Sequence, residues 1–471
     1  MTSVLDDTTA TGAAPRLDDR DPVVRLACLA EPATLTVSDV CDGAAWGFGR
    51  LDGTRAVVFA TDPRTQGGAL GEQGCALIVD AYERALDLDL PIVGVWHSGG
   101  ARLKEGARSL HAVGQVFSAM TRASGRIPQV SLVVGPAAGG AAYGPALTDV
   151  VVLTPDARVF VTGPDVVRSV TGEDLTAEQL GGPGMHGPTS GVAHVTTSDD
   201  EDAVERTRRI TALLARRVAA APDEATRPDP ALFLPQQRKR VYDIHPVIAA
   251  VLDGPGEELQ AEWSANVVTL LGRLRGQTVG VVANNPARDF GCLTGPASDK
   301  AARFVRLCDA FGIPLLVLVD VPGYLPGAAQ ESDGILRRGA KLLHAFAGAS
   351  VPRVSVVLRR AFGGAYIAMN SRSLGATRAF AWPDAEVDVM NPVSAVRILR
   401  RRDLAGLEGA EKTAAEELFA AEHAEVTGGL AVAVDEGFID EVLEPSRTRA
   451  AVAHALLATE PVRGRQSNIP L

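Results

Sequence analysis

The chain carries one fold unit written twice. The apolar run Leu90-Pro91-Ile92-Val93-Gly94-Val95-Trp96 is matched by Ile313-Pro314-Leu315-Leu316-Val317-Leu318-Val319, 223 residues later. A second pair, Ile127-Pro128-Gln129-Val130-Ser131-Leu132-Val133-Val134 and Val351-Pro352-Arg353-Val354-Ser355-Val356-Val357-Leu358, lies 224 residues apart. Each member of that pair runs into a glycine turn, Gly139-Gly140-Ala141-Ala142-Tyr143 or Gly363-Gly364-Ala365-Tyr366. A third pair is Val159-Phe160-Val161 and Ala379-Phe380-Ala381. Landmarks in the same order at a near-constant offset mark an internal duplication. Short runs rich in Val, Ile and Leu on both faces predict buried parallel strands. The segments before two of them, residues 73–88 and 298–311, have helical length. The expectation is an α/β fold of two homologous halves: a mobile polar arm over 1–25, a first domain over 26–230 and a second over 240–471. The join from Ala221-Pro222-Asp223 to Arg240 is Pro-rich and charged, as a linker is.

A chain of 471 residues is long enough for two such domains. Its 46% hydrophobic and 22% charged residues are ordinary for a globular protein. The 48 glycines have no triplet period, which excludes collagen. A net charge of −11 repels a phosphate backbone, so nucleic acid is not an expected partner. The five cysteines form no CxxC pair, which argues against a zinc ribbon and for reduced thiols in the cytoplasm. The first residues are acidic, so no signal peptide is read, and no apolar run reaches membrane-spanning length.

The glycine turns are the candidate chemistry. The first N–H groups of a helix have no partner within it. Glycine there lets a ligand oxygen approach without meeting a side chain. Two such N–H groups can stabilise a developing oxyanion. Alternatively, small residues at these turns allow close packing. GxSxG, GxxxxGK[ST] and HExxH motifs are all absent from the sequence. Of the eight histidines, His97 alone adjoins a glycine loop at a strand end, as a polar cap or as a functional group. No metal site is expected. Backbone donors alone supply no base, so the proton acceptor has to come with a substrate or cofactor.

Longer motifs carry a resemblance. They are Gly67-Gly68-Ala69-Leu70-Gly71-Glu72, Ser98-Gly99-Gly100-Ala101-Arg102, Gly163-Pro164-Asp165-Val166-Val167 and Ser190-Gly191-Val192-Ala193-His194. The second half adds Lys300-Ala301-Ala302-Arg303-Phe304-Val305-Arg306, Val319-Asp320-Val321-Pro322-Gly323-Tyr324-Leu325-Pro326-Gly327 and Arg338-Gly339-Ala340-Lys341. With these the sequence resembles the carboxyltransferase (beta) subunit of biotin-dependent acyl-CoA carboxylases, of the propionyl-CoA carboxylase type. The resemblance implies two crotonase-like ββα superhelix domains and a homohexamer built as a trimer of dimers. It implies transfer of a carboxyl group from carboxybiotin to the α carbon of an acyl-CoA. Gly139 and Gly140 would hold the thioester oxygen, and Gly364 and Ala365 the biotin ureido oxygen. Ser98, Gly99, Gly100, Ala101, Arg102 and Tyr143 would line the acyl-CoA side, with Ile367 in the acyl pocket. Gly323, Tyr324, Gly363 and Tyr366 would line the biotin side. The sequence has no MKM biotinylation motif. Biotin and the biotin carboxylase that loads it are therefore expected on a separate subunit. A decarboxylase or transcarboxylase of malonyl-type thioesters, and a non-catalytic scaffold subunit, remain as other readings.

Several positions depart from the family pattern. His97 stands where the family has Asp before Ser-Gly-Gly-Ala-Arg, whereas Asp320 keeps it at the repeat-equivalent place. Gly74 and Leu77 replace a usual His and Lys, and His245 a usual Arg. Asn391 follows Met390 where Gly is usual. Ile367 replaces the Asp that accompanies propionyl preference, which implies a different or longer acyl chain.

Overall fold

The computed structural model describes residues 16–215, 227–237, 240–458 and 462–469. The arm's residues 1–15 and the linker's Ala221-Pro222-Asp223 lie outside the described residues. Two α/β units result. The first comprises the chain to residue 215 together with Leu259–Trp263 and residues 465–469; the second comprises 227–258 and 264–464. The first unit thus takes in two segments that the sequence reading placed in the second domain. It also begins before residue 25. Leu17 is buried, and the helix Pro22–Leu29 starts on a proline behind Asp21, whose carboxylate accepts from the Val23 N–H.

The first sheet contains β1 (Thr36–Cys41), β2 (Ala44–Leu51), β3 (Thr54–Thr61), β4 (Ile92–Ser98), β5 (Gln129–Ala138), β6 (Val150–Leu153), β7 (Arg158–Phe160) and β8 (Val195–Thr196). Their order is β1-β2-β3-β4-β5-β6-β8, with β7 on β5. The second contains β9 (Glu257–Leu259), β10 (Val267–Leu274), β11 (Gln277–Asn284), β12 (Leu315–Val321), β13 (Arg353–Phe362), β14 (Arg378–Ala381), β15 (Glu386–Asp388) and β16 (Glu441–Val442). Its order is β9-β10-β11-β12-β13-β14-β16, with β15 on β13. The duplication therefore extends to every strand.

Local sequence explains the shared elements. Each sheet enters through a hairpin whose two turn residues take positive φ, Asp52-Gly53 and Arg275-Gly276. The strands after each hairpin are parallel and apolar on both faces, so they lie between helical layers. Helices Glu72–Asp87 and Ala107–Ala123 pack together in the first unit, as Gly295–Phe311 and Ile335–Gly348 do in the second. The Gly295–Phe311 helix opens on Thr294, whose hydroxyl accepts from the Ala297 N–H at 3.2 Å, and closes on left-handed Gly312. In the first core, Phe59 and Trp96 meet edge to face at 5.2 Å. Leu77, one of the departures from the family pattern, is buried in that core, so no charge is presented there.

The third sequence landmark needs correction. Ala379-Phe380-Ala381 lies in β14, the counterpart of β6, whereas Val159-Phe160 lies in β7, the counterpart of β15. An extra 3-10 turn at Arg372–Leu374 lengthens the second repeat between the glycine turn and β14, which moves the offset from 224 to 228. The same register corrects the two tyrosines. The left-handed glycines Gly139 (φ 55°) and Gly363 (φ 60°) correspond, so Tyr143 pairs with Ile367 and Ala142 with Tyr366.

Candidate functional site

Both glycine turns sit at the carboxyl ends of parallel strands, where open α/β sheets bind ligands. In the first unit, β5 ends at Ala138, Gly139 turns the chain, and the helix Gly140–Leu147 follows. The Gly139 N–H donates to the Phe160 carbonyl of β7 at 3.1 Å. It is committed to holding the turn. The donors that begin the helix, with no i−4 carbonyl to reach, are the N–H groups of Gly140 and Ala141. In the second unit, β13 ends at Phe362 and Gly363-Gly364-Ala365 follow. By register, Gly364 and Ala365 are the counterparts of Gly140 and Ala141.

Two glycines near these turns, Gly144 inside the first helix and Gly364 at the second turn, differ in why they are glycine. A Cβ on Gly144 would lie 2.6 Å from the Trp96 ring, so packing requires its absence. Gly364 is exposed, its φ is outside the left-handed region, and a Cβ there would meet nothing within 4 Å. Neither backbone conformation nor packing within the chain requires glycine at 364. A methyl group there would stand in open space.

The loop Ser98-Gly99-Gly100-Ala101-Arg102 forms one wall of the first turn and is held from within. Gly99 N–H donates to Gly67 O at 3.0 Å, Leu70 N–H to Gly100 O at 2.7 Å, and Arg102 N–H to Leu70 O at 2.9 Å. Ser98 is buried, and its hydroxyl accepts from the Gly100 N–H at 3.2 Å. Arg102 is also buried, paired with Asp42 at 3.0 Å and Glu105 at 3.3 Å. Its guanidinium ties the loop to the β1–β2 hairpin. Tyr143, 48% exposed, faces outward with its ring edge against Phe117. Ile367 is 43% exposed at the matching place of the second turn.

On the second side, Leu293 N–H donates to Gly323 O at 3.1 Å, repeating the Leu70–Gly100 bond. Tyr324 hydrogen-bonds Ser298, and its hydroxyl lies where a Cβ on Gly339 would reach within 2.9 Å. It is a wall built on the helix Ile335–Gly348. Tyr366 is half-buried, and burial raises its hydroxyl pKa, so it stays neutral. Among the described residues no group of His, Cys, Asp and Glu could hold a metal ion.

Sequence reasoning missed the charged frame behind the second turn. Asp320 is buried at the β12 irregularity, with Arg359 Nε at 3.0 Å and Arg360 Nε at 2.7 Å. The signal was present: Asp320 interrupts an apolar run, and Arg359-Arg360 end another. In the first unit the corresponding positions are His97, Gly135 and Pro136. A Cβ on Gly135 would lie 2.5 Å from the His97 ring, so the His and the Gly are a matched pair. Arg25 Nη2 lies 3.3 Å from His97 Nδ1. Burial, then Arg25 and Arg20, push the His97 pKa down to about 4, and the neutral ring accepts from Arg25. His97 is thus a neutral prop beneath the loop.

Comparison with known proteins decides the family. Residues 25–465 match the carboxyl transferase domain model. The chain belongs to the carboxyl transferase family. It is 54% identical over 461 residues to the biotin-dependent acetyl-/propionyl-coenzyme A carboxylase beta6 subunit of Mycobacterium tuberculosis, covering 97% of this chain and 98% of that one. It is 42% identical to the methylmalonyl-CoA decarboxylase subunit alpha of Veillonella parvula, over 91% of this chain and 86% of that one. Among solved structures it is similar to the transcarboxylase 12S hexamer with methylmalonyl-coenzyme A and methylmalonic acid bound. That match has a TM-score of 0.88 and 37% identity, and covers 96% of this chain and 92% of that one. The crotonase-like reading of the two α/β sheets agrees with this carboxyltransferase fold. Among the described residues no helix is long and apolar enough to cross a membrane.

Proposed function

We propose that this carboxyltransferase moves a carboxyl group, delivered on the biotin of a separate carrier subunit, to the α carbon of an acyl-CoA. The product is a malonyl-CoA-type thioester, methylmalonyl- or alkylmalonyl-CoA. The observation that carries the reading is Gly364: an exposed glycine at a strand end that the chain's own conformation and packing do not require, in a carboxyl transferase. Its counterpart Gly140 begins the matching turn of the other unit.

The chain's own contribution is backbone donors held in place. At the first turn the Gly140 and Ala141 N–H groups receive the thioester oxygen, while Gly139 shapes the turn through its left-handed φ and its bond to Phe160. At the second turn the Gly364 and Ala365 N–H groups receive the ureido oxygen. Carboxylated biotin, when bound, supplies both the carboxyl group and the acceptor for the α-proton. Negative charge develops on one oxygen at each turn, so two donor sets serve one transfer. Donors fixed before the reaction need no reorganisation during it. Gly323, Gly363, Tyr324 and Tyr366 frame the second turn, and Ile367 supplies an apolar wall for the acyl chain. A pocket methylene discriminates by only about 1–3 kcal/mol, so Ile367 sets a preference and not an absolute choice.

The working form is taken to be a homohexamer with a biotin carboxylase and biotin carrier partner, in the cytoplasm. Five unpaired cysteines fit a reducing compartment. The test is transfer of labelled carboxylate from the charged carrier to acetyl-, propionyl- and longer acyl-CoAs. Transfer to at least one is expected. No transfer to any, from an assembled hexamer with its authentic partner, refutes the reading. Release of CO2 from methylmalonyl-CoA without ATP would instead favour a decarboxylase.

A further inference from the structure

One of the residues that differ between the two units lies in a strained loop at the same strand ends as the glycine turns. In the first, the loop after β3 carries three left-handed residues, Gln66, Gly67 and Gly68, with φ of 48°, 63° and 77°. In the second, the loop after β11 repeats this with Asp289, Phe290 and Gly291 at 45°, 56° and 80°. Phe290 therefore stands where the first unit has Gly67. A bulky aromatic residue with left-handed backbone is a genuine outlier. Its ring gains nothing from the core to offset this, because Phe290 is 65% exposed.

The chain also holds Phe290 in that conformation. Arg360 Nη2 donates to the Phe290 carbonyl at 3.2 Å, and Arg360 Nε is anchored on buried Asp320 at 2.7 Å. Gly291, next to Phe290, has room for no side chain, because a Cβ there would lie 2.6 Å from Asp320 O. Arg360 lies on β13, four residues before Gly364. Asp320 lies on β12, just before the Gly323 loop. The strained loop, the ion-pair frame and the second turn thus share the carboxyl ends of β11, β12 and β13. The first unit has neither part of this frame, with His97 and Pro136 in place of Asp320 and Arg360. It also has no ring there, since the residue is Gly67, although a Cβ at that place would meet only open space. Strain that the surroundings hold in place clusters at ligand sites.

We propose that Phe290 is a specificity-determining residue of the second site, an aromatic wall for the folded bicycle whose planar ureido ring places its oxygen in the Gly364 turn. Its counterpart Gly67 leaves the first site open for a bulkier thioester. The inference rests on the proposed function, since it assumes that the second turn takes biotin. The apolar thioether half of that bicycle, laid on a phenyl face, loses water together with it, and the two torsions of the Phe290 side chain cost little entropy to fix.

The test uses the assembled protein and free d-biotin methyl ester in the reverse direction. Carboxylate leaves the α carbon of methylmalonyl-CoA for the ureido nitrogen, and the ureido proton replaces it on the α carbon. Phe290→Gly is expected to raise KM for the biotin ester about ten-fold, an amount equal to about 1.4 kcal/mol. KM for methylmalonyl-CoA should be unchanged. The same variant should melt at a higher temperature, because glycine carries no strain at this φ. Phe290→Leu should raise KM without that gain, and Phe290→Tyr should restore it. Equilibrium binding of the ester, measured by calorimetry without thioester, should follow KM. An unchanged affinity for the ester in Phe290→Gly overturns the inference, as does a hexamer that falls apart in sedimentation, which would make the ring a contact between copies. If the unaltered protein shows no biotin-dependent transfer at all, it is the proposed function that fails.

Discussion

Replacing Gly364 by alanine separates folding from chemistry at a single atom. The new Cβ meets no heavy atom of the chain within 4 Å, and the backbone there is outside the left-handed region. Folding therefore loses no contact and gains no strain. A Gly→Ala change at a compatible site stabilises by about 0.4–1 kcal/mol, by restricting the unfolded chain. Binding of an oxygen at that turn faces the opposite outcome, because the methyl group occupies its approach. Loss of one oxyanion donor costs about 2.7–4 kcal/mol, or a rate factor on the order of 10²–10³. The expected result is a hexamer at least as resistant to urea as the parent, with transfer slowed by at least two orders of magnitude. Gly364→Val should abolish transfer while still assembling. Gly144→Ala is the counter-example: its Cβ would lie 2.6 Å from Trp96, so it should lose about 1–3 kcal/mol of stability by overpacking. The measurements are urea midpoints, sedimentation and labelled-carboxylate transfer on the same preparations. Near-normal turnover in Gly364→Ala would refute the donor assignment, and an unstable Gly364→Ala would refute the reading that the space beside Gly364 is open.

Two histidines should tilt the stability profile in opposite directions. His97 is held down to about 4 in the folded chain against an ordinary 6.5, so the unfolded chain takes up its proton first, and stability is lost as pH falls from about 6.5 to 4. His245 is held up to about 9 by its hydrogen bond to Glu258 and its bond to Asp243, so its contribution is complete below about 6.5 and is lost as pH rises through 9. Urea midpoints across pH should show a flatter acid limb in His97→Gln and a flatter alkaline limb in His245→Gln; unchanged limbs would contradict the assignments. Asn468→Ala should cost about 1–3 kcal/mol in urea unfolding, because Asn468 Nδ2 donates to buried Asp149 Oδ1 at 2.6 Å.

The legible parts of the fold were those with strong local signals. Runs rich in Val, Ile and Leu at β4, β5, β12 and β13 announced buried strands, and glycine turns marked their ends. Four-residue β6 and β14 carry too few residues to hold a register, so an inserted turn at Arg372–Leu374 slipped the alignment onto the wrong strand. At the site, glycine identity was readable but its cause was not. The letter is the same at Gly144 and Gly364, and what differs is their surroundings, Trp96 beside the first and open space beside the second. Arg102 is assigned to the acyl-CoA side by resemblance alone, and its ion-pair partner is not visible in the sequence. Asp42 lies 60 residues away in the chain, and only the folded loop brings it to 3.0 Å. Phe290 was unreadable for a related reason, since a residue's φ is not written in its letter.

The segment around Asn468 has a consequence for how the protein is made. The bond from Asn468 to Asp149 spans 319 residues of chain. At about 5–20 residues per second, residue 468 is synthesised roughly 15–60 seconds after Asp149. Gln260, which donates to the Gly191 carbonyl at 2.6 Å, also arrives after the loop before β8 that it ties down. The first unit therefore waits on the ribosome with its β5–β6 corner open while its own duplicate is translated. A premature stop anywhere in the second half would leave both units unfinished, and the cell's quality control would meet a nascent first unit without its final clasp.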